Sequence, residues 1–330
     1  MNQIQQVVFR CISALALVFG GFSALAQDGF PDRPITITIA VGPGGGVDVT
    51  TRALAKVLSD MWRQPVVVQN RPGANGIIAA MMVSRSPPDG SHLYLAHNGD
   101  ISSTPFVLNR PDYQPLKQLT PISQILTQPY VLSVHPSVPA KDVEQLIAWI
   151  KKKNATGEKV NAISASIGGT EHLSAEQFRL AAGLGDLQIV PYKSAAPALM
   201  DVTAGHVPFG FFSLGAAGGQ IKAGAVRALA ISSKQRLDVM PDLPTVAEVL
   251  PGFASSAWYG MFGPAEMPKE LAERISRDIH KAADSPAMRT LMHGNGQAVA
   301  LSTPSEFAKF LRQDAEQTSA TLKNAGIKPQ

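Results

Sequence analysis

The chain has 330 residues, 45% of them hydrophobic, with a formal net charge of +4 and a single cysteine. The charge excess is small and the only dense basic run is Lys151-Lys152-Lys153, which argues against nucleic acid as a partner. Cys11 lies in an N-terminal segment that we expect to be removed, so a disulfide framework and a cysteine nucleophile are excluded from the mature protein. The roughly 300 remaining residues exceed a typical single core, which favours two lobes.

Residues 1–26 have the pattern of a cleaved signal peptide. They contain no acidic residue, one basic residue (Arg10), an apolar run over residues 11–19 and the small-residue triplet Ala24-Leu25-Ala26. The apolar run falls short of the roughly 20 residues that a membrane-spanning helix needs. The sequence therefore predicts export, with cleavage after Ala26.

Two distant segments follow the same plan of strand, glycine loop and helix. In the first, residues 35–41 alternate as a strand, three glycines follow at 44–46, and residues 49–62 place apolar side chains on one helical face. In the second, residues 162–170 form a strand and a glycine loop, and a helix begins near Glu171. The alternation of strands and helices predicts an α/β protein with largely parallel sheets and one such unit in each lobe.

Each glycine loop is a candidate anion site, because a helix start leaves backbone N–H groups unpaired and carries a partial positive charge. The glycines alone could equally form tight turns. Asp48 is by default the N-cap of the first helix, and since its carboxylate would oppose a directly bound anion, we expect it to orient the loop or a water. His172 lies just inside the second helix, where we expect it to pack against that turn or to cap it.

A series of short motifs runs along almost the whole mature chain in a fixed order. The motifs are Phe-Pro-Asp-Arg-Pro-Ile at 30–35, Pro-Gly-Gly-Gly-Val-Asp at 43–48, Val-Val-Gln-Asn-Arg-Pro-Gly-Ala-Asn-Gly at 67–76, Pro-Asp-Gly at 88–90, His-Leu at 172–173, Val-Pro-Tyr-Lys at 190–193, Arg-Ala-Leu-Ala at 227–230, Pro-Asp-Leu-Pro-Thr-Val-Ala-Glu at 241–248 and Trp-Tyr-Gly at 258–260. Each is an ordinary turn or strand by itself. Together and in this order they resemble the Bug-type receptors, the TctC-like solute-binding proteins of tripartite tricarboxylate transporters.

The resemblance implies an α/β, two-lobed periplasmic binding protein of type II-like architecture, with the ligand in the cleft between the lobes. Lobe 1 would comprise residues 27–126 and 252–330 and lobe 2 residues 127–251, with the chain crossing between them near 122–132 and 255–262. The implied location is the periplasm, and the implied function is to capture a small carboxylate and deliver it to the membrane permease subunits of the transporter. We expect a monomer without cofactor or metal.

In that family one ligand carboxylate is held at the first glycine loop, partly through water, and the other at the loop before the His-Leu helix. Carried over to this chain, the first site comprises Gly44, Gly45, Gly46 and Asp48, and the second comprises Ser164, Ala165, Ser166, Gly169 and Thr170. The sharpest form of the hypothesis has the Ser166 and Thr170 hydroxyls donating to one carboxylate and the Gly45 and Gly46 amides donating to the other.

Two departures from the family pattern affect the expected ligand. Val41 stands where the family usually has an aromatic residue, which removes a ring that could cover the ligand, and Phe212 stands where an Asp is frequent. Phe212 either packs in the core or lines the cleft for a flat ligand such as an aromatic diacid of the phthalate type; strand alternation places Phe209 and Phe211 on the opposite face. An amino-acid ligand is disfavoured, because a buried ammonium needs a carboxylate partner and that Asp is missing.

His97 and Asn98 follow a predicted strand at residues 93–96. Ligands in open α/β sheets bind at such strand ends, so both are candidate ligand contacts, with turn formation as the alternative.

Two other classes of function stay open. A periplasmic sensing subunit would use the same pocket with a signalling partner. A hydrolase of carboxylic esters would need a nucleophile, but the mature chain lacks a G-x-S-x-G elbow and a cysteine.

Overall fold

A computed structural model describes residues 29–44, 46–164, 167–192 and 194–329 of the chain. The predicted signal peptide lies outside the described residues. None of the helices in the described part of the chain has the length and apolar character needed to cross a bilayer.

The described residues form a mixed α/β fold. The strands are β1 (Ile35–Ile39), β2 (Val66–Asn70), β3 (His92–His97), β4 (Leu119–Val134), β5 (Asn161–Ser164), β6 (Gln188–Pro191), β7 (Phe209–Ser213), β8 (Arg227–Ile231), β9 (Ser256–Pro264) and β10 (Ala298–Val299). The helices are α1 (Gly46–Trp62), α2 (Ile77–Ser84), α3 (Thr104–Val107), α4 (Pro115–Gln118), α5 (Val143–Ala155), α6 (Thr170–Ala181), α7 (Ala195–Thr203), α8 (Leu214–Lys222), α9 (Lys269–Ala283), α10 (Pro286–Gly294) and α11 (Pro304–Asn324). Short helical turns of other types span Ala74–Gly76, Gly99–Ser103 and Val246–Glu248.

The strands join in one continuous sheet of order β2-β1-β3-β9-β4-β7-β5-β6, and β8 and β10 also pair with β4. Pairing is parallel among β1, β2 and β3 at one end and among β5, β6 and β7 at the other. Between them β9 and β4 pair antiparallel with their neighbours. The expectation of largely parallel sheets thus holds for the outer strands, while the two long strands that join them run antiparallel.

Strand β4 changes partners partway along its length. From Leu119 to Pro129 it pairs with β9, and from Tyr130 to Val134 it pairs with β7, with β8 pairing over the same end. We refer to the body around β1, β2, β3, β9 and β10 as the first lobe and to the body around β5, β6, β7 and β8 as the second lobe. The division at residues 126/127 and 251/252 stays a prediction.

The two predicted strand, loop and helix units are present, one in each lobe. The first runs from β1 into α1, which begins three residues earlier than expected and buries Leu54 and Leu58 on its inner face. The second runs from β5 into α6, which begins at Thr170, one residue before the predicted start. Both helices begin where the chain leaves a strand, so their amino-terminal ends face the same region between the lobes.

Candidate ligand-binding cleft

A cavity of about 1340 Å³ lies between the lobes, lined by residues of both. The first lobe contributes the loop before α1, the loop before α2 and the turn after β3, and the second lobe contributes the starts of α6, α7 and α8. Of the residues predicted for the site, Val41, Gly44, Gly46, His97, Gly169 and Thr170 line this cavity. Gly45, Ala165 and Ser166 are outside the described residues.

The loop before α1 is held by Asp48, which is buried and does not line the cavity. Its Oδ2 accepts a hydrogen bond from the Gly44 amide at 2.9 Å, and its Oδ1 accepts from Asn70 Nδ2 at 2.8 Å. Arg52 pairs with the same carboxylate over 2.9 Å. The bond from Arg52, with those from Gly44 and Asn70, holds the pKa of Asp48 at about 2.

Asp48 therefore corrects one expectation and supports another. It lies at the third position of α1 and is not the N-cap, since the helix begins two residues before it. Its carboxylate fixes the loop from behind, as expected for a residue that orients the loop, and the bonds to Arg52 and Asn70 leave its charge compensated away from the cavity.

The start of α6 is held by His172. The Gly168 amide donates to His172 Nδ1 at 2.8 Å, and Gly168 takes a positive φ of 76° in the turn. Burial lowers the pKa of His172 to about 4, so the ring is neutral and able to accept this bond near pH 7. The expected structural role of His172 is confirmed.

The Thr170 hydroxyl is engaged differently from the hypothesis. It donates to Asn98 Oδ1 at 2.7 Å, a bond between the lobes in which both side chains are buried. In this conformation a buried amide oxygen on the facing lobe accepts the proton of this hydroxyl, so donation from Thr170 to a ligand carboxylate stays a prediction that would require this bond to be exchanged. Asn98 acts as this acceptor and does not line the cavity, and Ser164 is likewise buried and away from it.

His97 reaches the cavity from the end of β3. Its Nδ1 accepts from the Gly99 amide at 3.0 Å, and its Nε2 lies 3.5 Å from Asp100 Oδ1. Both ring nitrogens therefore have partners within the turn, while the half-buried ring lines the cavity.

Phe212 does not line the cavity, which corrects its place among the predicted site residues. Its ring is buried in a cluster with Ile163, Leu199 and Val202, whereas Phe209 and Phe211 lie in the larger core cluster on the opposite face of β7. The predicted alternation is confirmed. The face of β7 that carries Phe212 is covered by α7 and α8, so the ring packs beneath these helices.

Sequence reasoning missed a polar wall built by Gln128, Tyr259 and Gln297. The Tyr259 hydroxyl donates to Gln128 Oε1 at 2.7 Å, and Gln297 Nε2 donates to the same oxygen at 2.8 Å. All three residues line the cavity. They come from β4, β9 and the loop before β10, so only the strand pairing brings them together, and only the Trp-Tyr-Gly motif gave a sequence signal for one of them.

Sequence reasoning also missed Glu171 as a site residue. It is the second residue of α6, its side chain is half-buried, and it lines the cavity. Burial raises the pKa of the Glu171 carboxyl, an effect that its own backbone amide and His97 partly offset. Burial, with this carboxyl nearby, also raises the pKa of Tyr130 and of Tyr259.

The charges around the cavity limit how it could hold an anion. The described lining residues include no lysine or arginine. No group of three or more potential metal ligands occurs within residues 29–44, 46–164, 167–192 and 194–329. Backbone amides at the starts of α1 and α6, beside neutral polar side chains such as Gln297 and Tyr259, are therefore the donors that the described part of the cavity offers to a carboxylate.

Comparison with solved structures gives the class of protein. The chain is similar to Rpa4515 of R. palustris, solved with adipate, with a TM-score of 0.83 and 28% identity over 91% of this chain and 100% of the other. It is also similar to MatC from Rhodopseudomonas palustris, solved with bound malate, with a TM-score of 0.77 and 25% identity over 89% and 100% of the two chains. The fold and the cleft are those of a two-lobed periplasmic binding protein.

Sequence comparison gives the family. The model of the tripartite tricarboxylate transporter family receptor matches residues 50–327. The chain is 32% identical to the protein BugT of Bordetella pertussis, over 96% of this chain and 99% of BugT. The protein belongs to the tripartite tricarboxylate transporter receptor family, and the resemblance read from the sequence motifs is confirmed.

Proposed function

We propose that the protein binds a small carboxylate in the cleft, in the periplasm, and delivers it to the permease subunits of a tripartite tricarboxylate transporter. The observation that carries the proposal is the pairing of two glycine-rich helix starts across a cavity whose described lining residues include no lysine or arginine. Such helix starts bind carboxylates through backbone amides and the helix dipole. Adipate and malate in the related structures are small carboxylates, which supports the same ligand chemistry here.

In this proposal the carboxylate accepts hydrogen bonds from the amides at the start of α1. Asp48 holds the Gly44 end of the loop in place, so the amides that follow are oriented before the ligand arrives. The polar wall of Gln128, Tyr259 and Gln297 lies beside Gly46: a Cβ built on Gly46 would lie 3.7 Å from the Tyr259 hydroxyl and 3.9 Å from Gln128 Oε1. These contacts favour a ligand whose polar end reaches this corner of the cleft.

Closure of the lobes would complete the site. Three contacts already join the lobes around the second loop: the Thr170 to Asn98 bond, a bond from Asn75 Nδ2 to the Ile167 carbonyl at 3.5 Å, and the packing of Gly168 against Val107. Exclusion of water strengthens hydrogen bonds to a bound carboxylate. We therefore propose that the protein works by hinge closure about β4, as a monomer, with the lobes divided at residues 126/127 and 251/252.

Whether the ligand is aromatic stays a question for the ligand screen. The sequence argument for an aromatic diacid depended on Phe212, and the burial of this ring removes that support. We therefore propose a small carboxylate without an aromatic requirement, and we include phthalates in the test beside aliphatic acids.

The test removes one backbone donor and keeps the rest of the loop. Gly46 is the first residue of α1, a position where proline is compatible with a helix, so Gly46→Pro deletes a single N–H. Gly46→Ala is the matched control, since its Cβ meets only ordinary van der Waals contacts. Isothermal titration with mono- and dicarboxylates, and with their methyl esters as controls, should show one-to-one binding of a free acid and none of its ester.

We expect Gly46→Pro to weaken this binding by about tenfold to a hundredfold, since a hydrogen bond to a charged group contributes about 1.5–3 kcal/mol. Gly46→Ala should stay within a few-fold of the natural protein. Equal affinities for the proline and alanine variants would show that this amide does not bind the ligand, and turnover of an ester would favour the hydrolase alternative. Deletion of the gene distinguishes a transporter receptor from a periplasmic sensing subunit. Loss of a receptor would abolish uptake of the acid, whereas loss of a sensing subunit would abolish only the transcriptional response to it.

A further inference from the structure

Glu171 places a negative charge of the protein itself at the start of α6. Its carboxylate accepts a hydrogen bond from its own backbone amide and lines the cavity. The helix start that the family pattern assigns to a second ligand carboxylate is therefore already next to an acidic side chain. A first-turn glutamate is favourable to the helix dipole, but it reduces the positive potential available to an external anion.

Among the described residues that line the cavity with Glu171, none carries a permanent positive charge. The ionisable groups whose charges act on it or respond to it are His97, Tyr130 and Tyr259, all of which line the cavity. Lysine and arginine are absent from the described lining residues. A partly buried carboxylate without a cation is unfavourable, and a positively charged group arriving with the ligand would relieve this cost.

We propose that Glu171 receives a cationic nitrogen of the ligand, so that the cleft selects a carboxylate that carries an amino group at its other end. The inference rests on the proposed function: the carboxylate of the ligand lies at the start of α1 and its ammonium lies against Glu171. The sequence argument against an amino-acid ligand depended on the Asp that is missing from the β7 region. Glu171 supplies a carboxylate from a different element, α6.

A simple diacid fits this arrangement less well. Its second carboxylate would approach the start of α6 beside the Glu171 carboxylate, and two like charges at close range in a site shielded from water repel each other unless one takes up a proton. Replacing that second carboxylate by an ammonium turns the repulsion into an attraction and adds a charge-assisted hydrogen bond.

The experiment compares diacids with ω-amino acids of matched length. Adipate is paired with 6-aminohexanoate and succinate with 4-aminobutyrate, and dissociation constants are measured at pH 7.5 by isothermal titration. We expect the natural protein to bind the amino compound of the better pair at least about tenfold more tightly than its diacid, the effect of one charge-assisted bond. Glu171→Gln should remove this preference by weakening the amino compound and strengthening the diacid, while Glu171→Asp should keep its direction.

Glu144→Gln is the matched control, because Glu144 is also in the first turn of a helix but is exposed and away from the cavity. It should leave both affinities unchanged, and circular dichroism of all variants checks that each is folded. If diacids bind as tightly as the amino compounds, or if Glu171→Gln changes both classes alike, the assignment of Glu171 is wrong and carboxylate capture stands. If neither class binds, nor any acid of the wider screen, carboxylate capture itself is wrong.

Discussion

Replacing Asp48 by asparagine tests whether this carboxylate holds the glycine loop. Asparagine keeps the size and one acceptor, but it puts an NH₂ group where a carboxylate oxygen now accepts from the Gly44 amide or from Asn70 and Arg52. The pKa of Asp48, about 2 in the folded protein against an ordinary 3.8, corresponds to about 2 kcal/mol at 1.36 kcal/mol per unit. Because the Arg52 side chain is 49% exposed, solvent screens part of the interaction between Arg52 and Asp48. We therefore expect the charge of Asp48 to contribute about 1–2 kcal/mol to the free energy of unfolding.

A further loss of about 1 kcal/mol should come from the mismatched hydrogen bond, so Asp48→Asn is expected to lower the free energy of unfolding by roughly 2–3 kcal/mol at pH 7. Urea unfolding followed by circular dichroism measures it. Asp60→Asn is the matched control on the same helix, because Asp60 is exposed and pairs with the exposed Lys56 at 3.2 Å. That change should cost less than about 0.5 kcal/mol.

The pH dependence of this difference has a definite sign. The pKa of Asp48 is lowered on folding, so its contribution is complete above the unfolded value near 4 and is lost as the pH falls towards about 2. The stability gap between the natural protein and Asp48→Asn should therefore narrow between pH 5 and pH 3. The reasoning would be refuted if Asp48→Asn were no less stable than Asp60→Asn, or if the gap were the same at both pH values.

Two further predictions concern the turn before α6. Gly168→Ala and Gly157→Ala both place a side chain at a positive φ, 76° and 83° respectively. Of these two positions, only Gly168 has a neighbour that the new Cβ would meet, Val107 at 2.9 Å, so Gly168→Ala should lower the free energy of unfolding in urea by about 1–3 kcal/mol more than Gly157→Ala. Equal losses would contradict a tight contact between the lobes at Gly168. His172 should make the protein less stable in mild acid, because its pKa of about 4 lies below the ordinary 6.5, so a contribution present above pH 6.5 is lost as the pH falls towards 4. Between pH 7 and pH 4.5 the free energy of unfolding of His172→Gln should fall by about 2 kcal/mol less than that of the natural protein. If both proteins lost the same free energy of unfolding over this range, His172 would not be the buried titrating group.

Local patterns predicted the units of the fold well. Alternation over β1 and the apolar face of α1 identified the first unit, and both helix starts lie within three residues of their predicted positions. These features depend on neighbours in sequence, which is why periodicity and turn residues reveal them. The order of motifs gave the family and hence the two-lobed class, which structural similarity confirms.

The composition of the cleft wall was less accessible, because it depends on pairing between distant strands. Gln128 and Tyr259 meet only because β4 and β9 are adjacent, and Gln297 joins them through β10. Alternation placed Phe212 on a different face from Phe211, but it could not tell which face the helices cover. Glu171 was read as a marker of the helix start, and its exposure to the cleft follows from the relative position of the lobes.

The partner exchange along β4 also bears on how the molecule unfolds. A single strand supplies hydrogen bonds to β9 on one side of Pro129 and to β7 and β8 on the other, so neither lobe has a complete sheet without it. If the packing of one lobe were lost, the other would keep an edge with unpaired backbone groups. We therefore expect the two lobes that enclose the cleft to unfold as one cooperative unit, so that damage to either lobe lowers the stability of both.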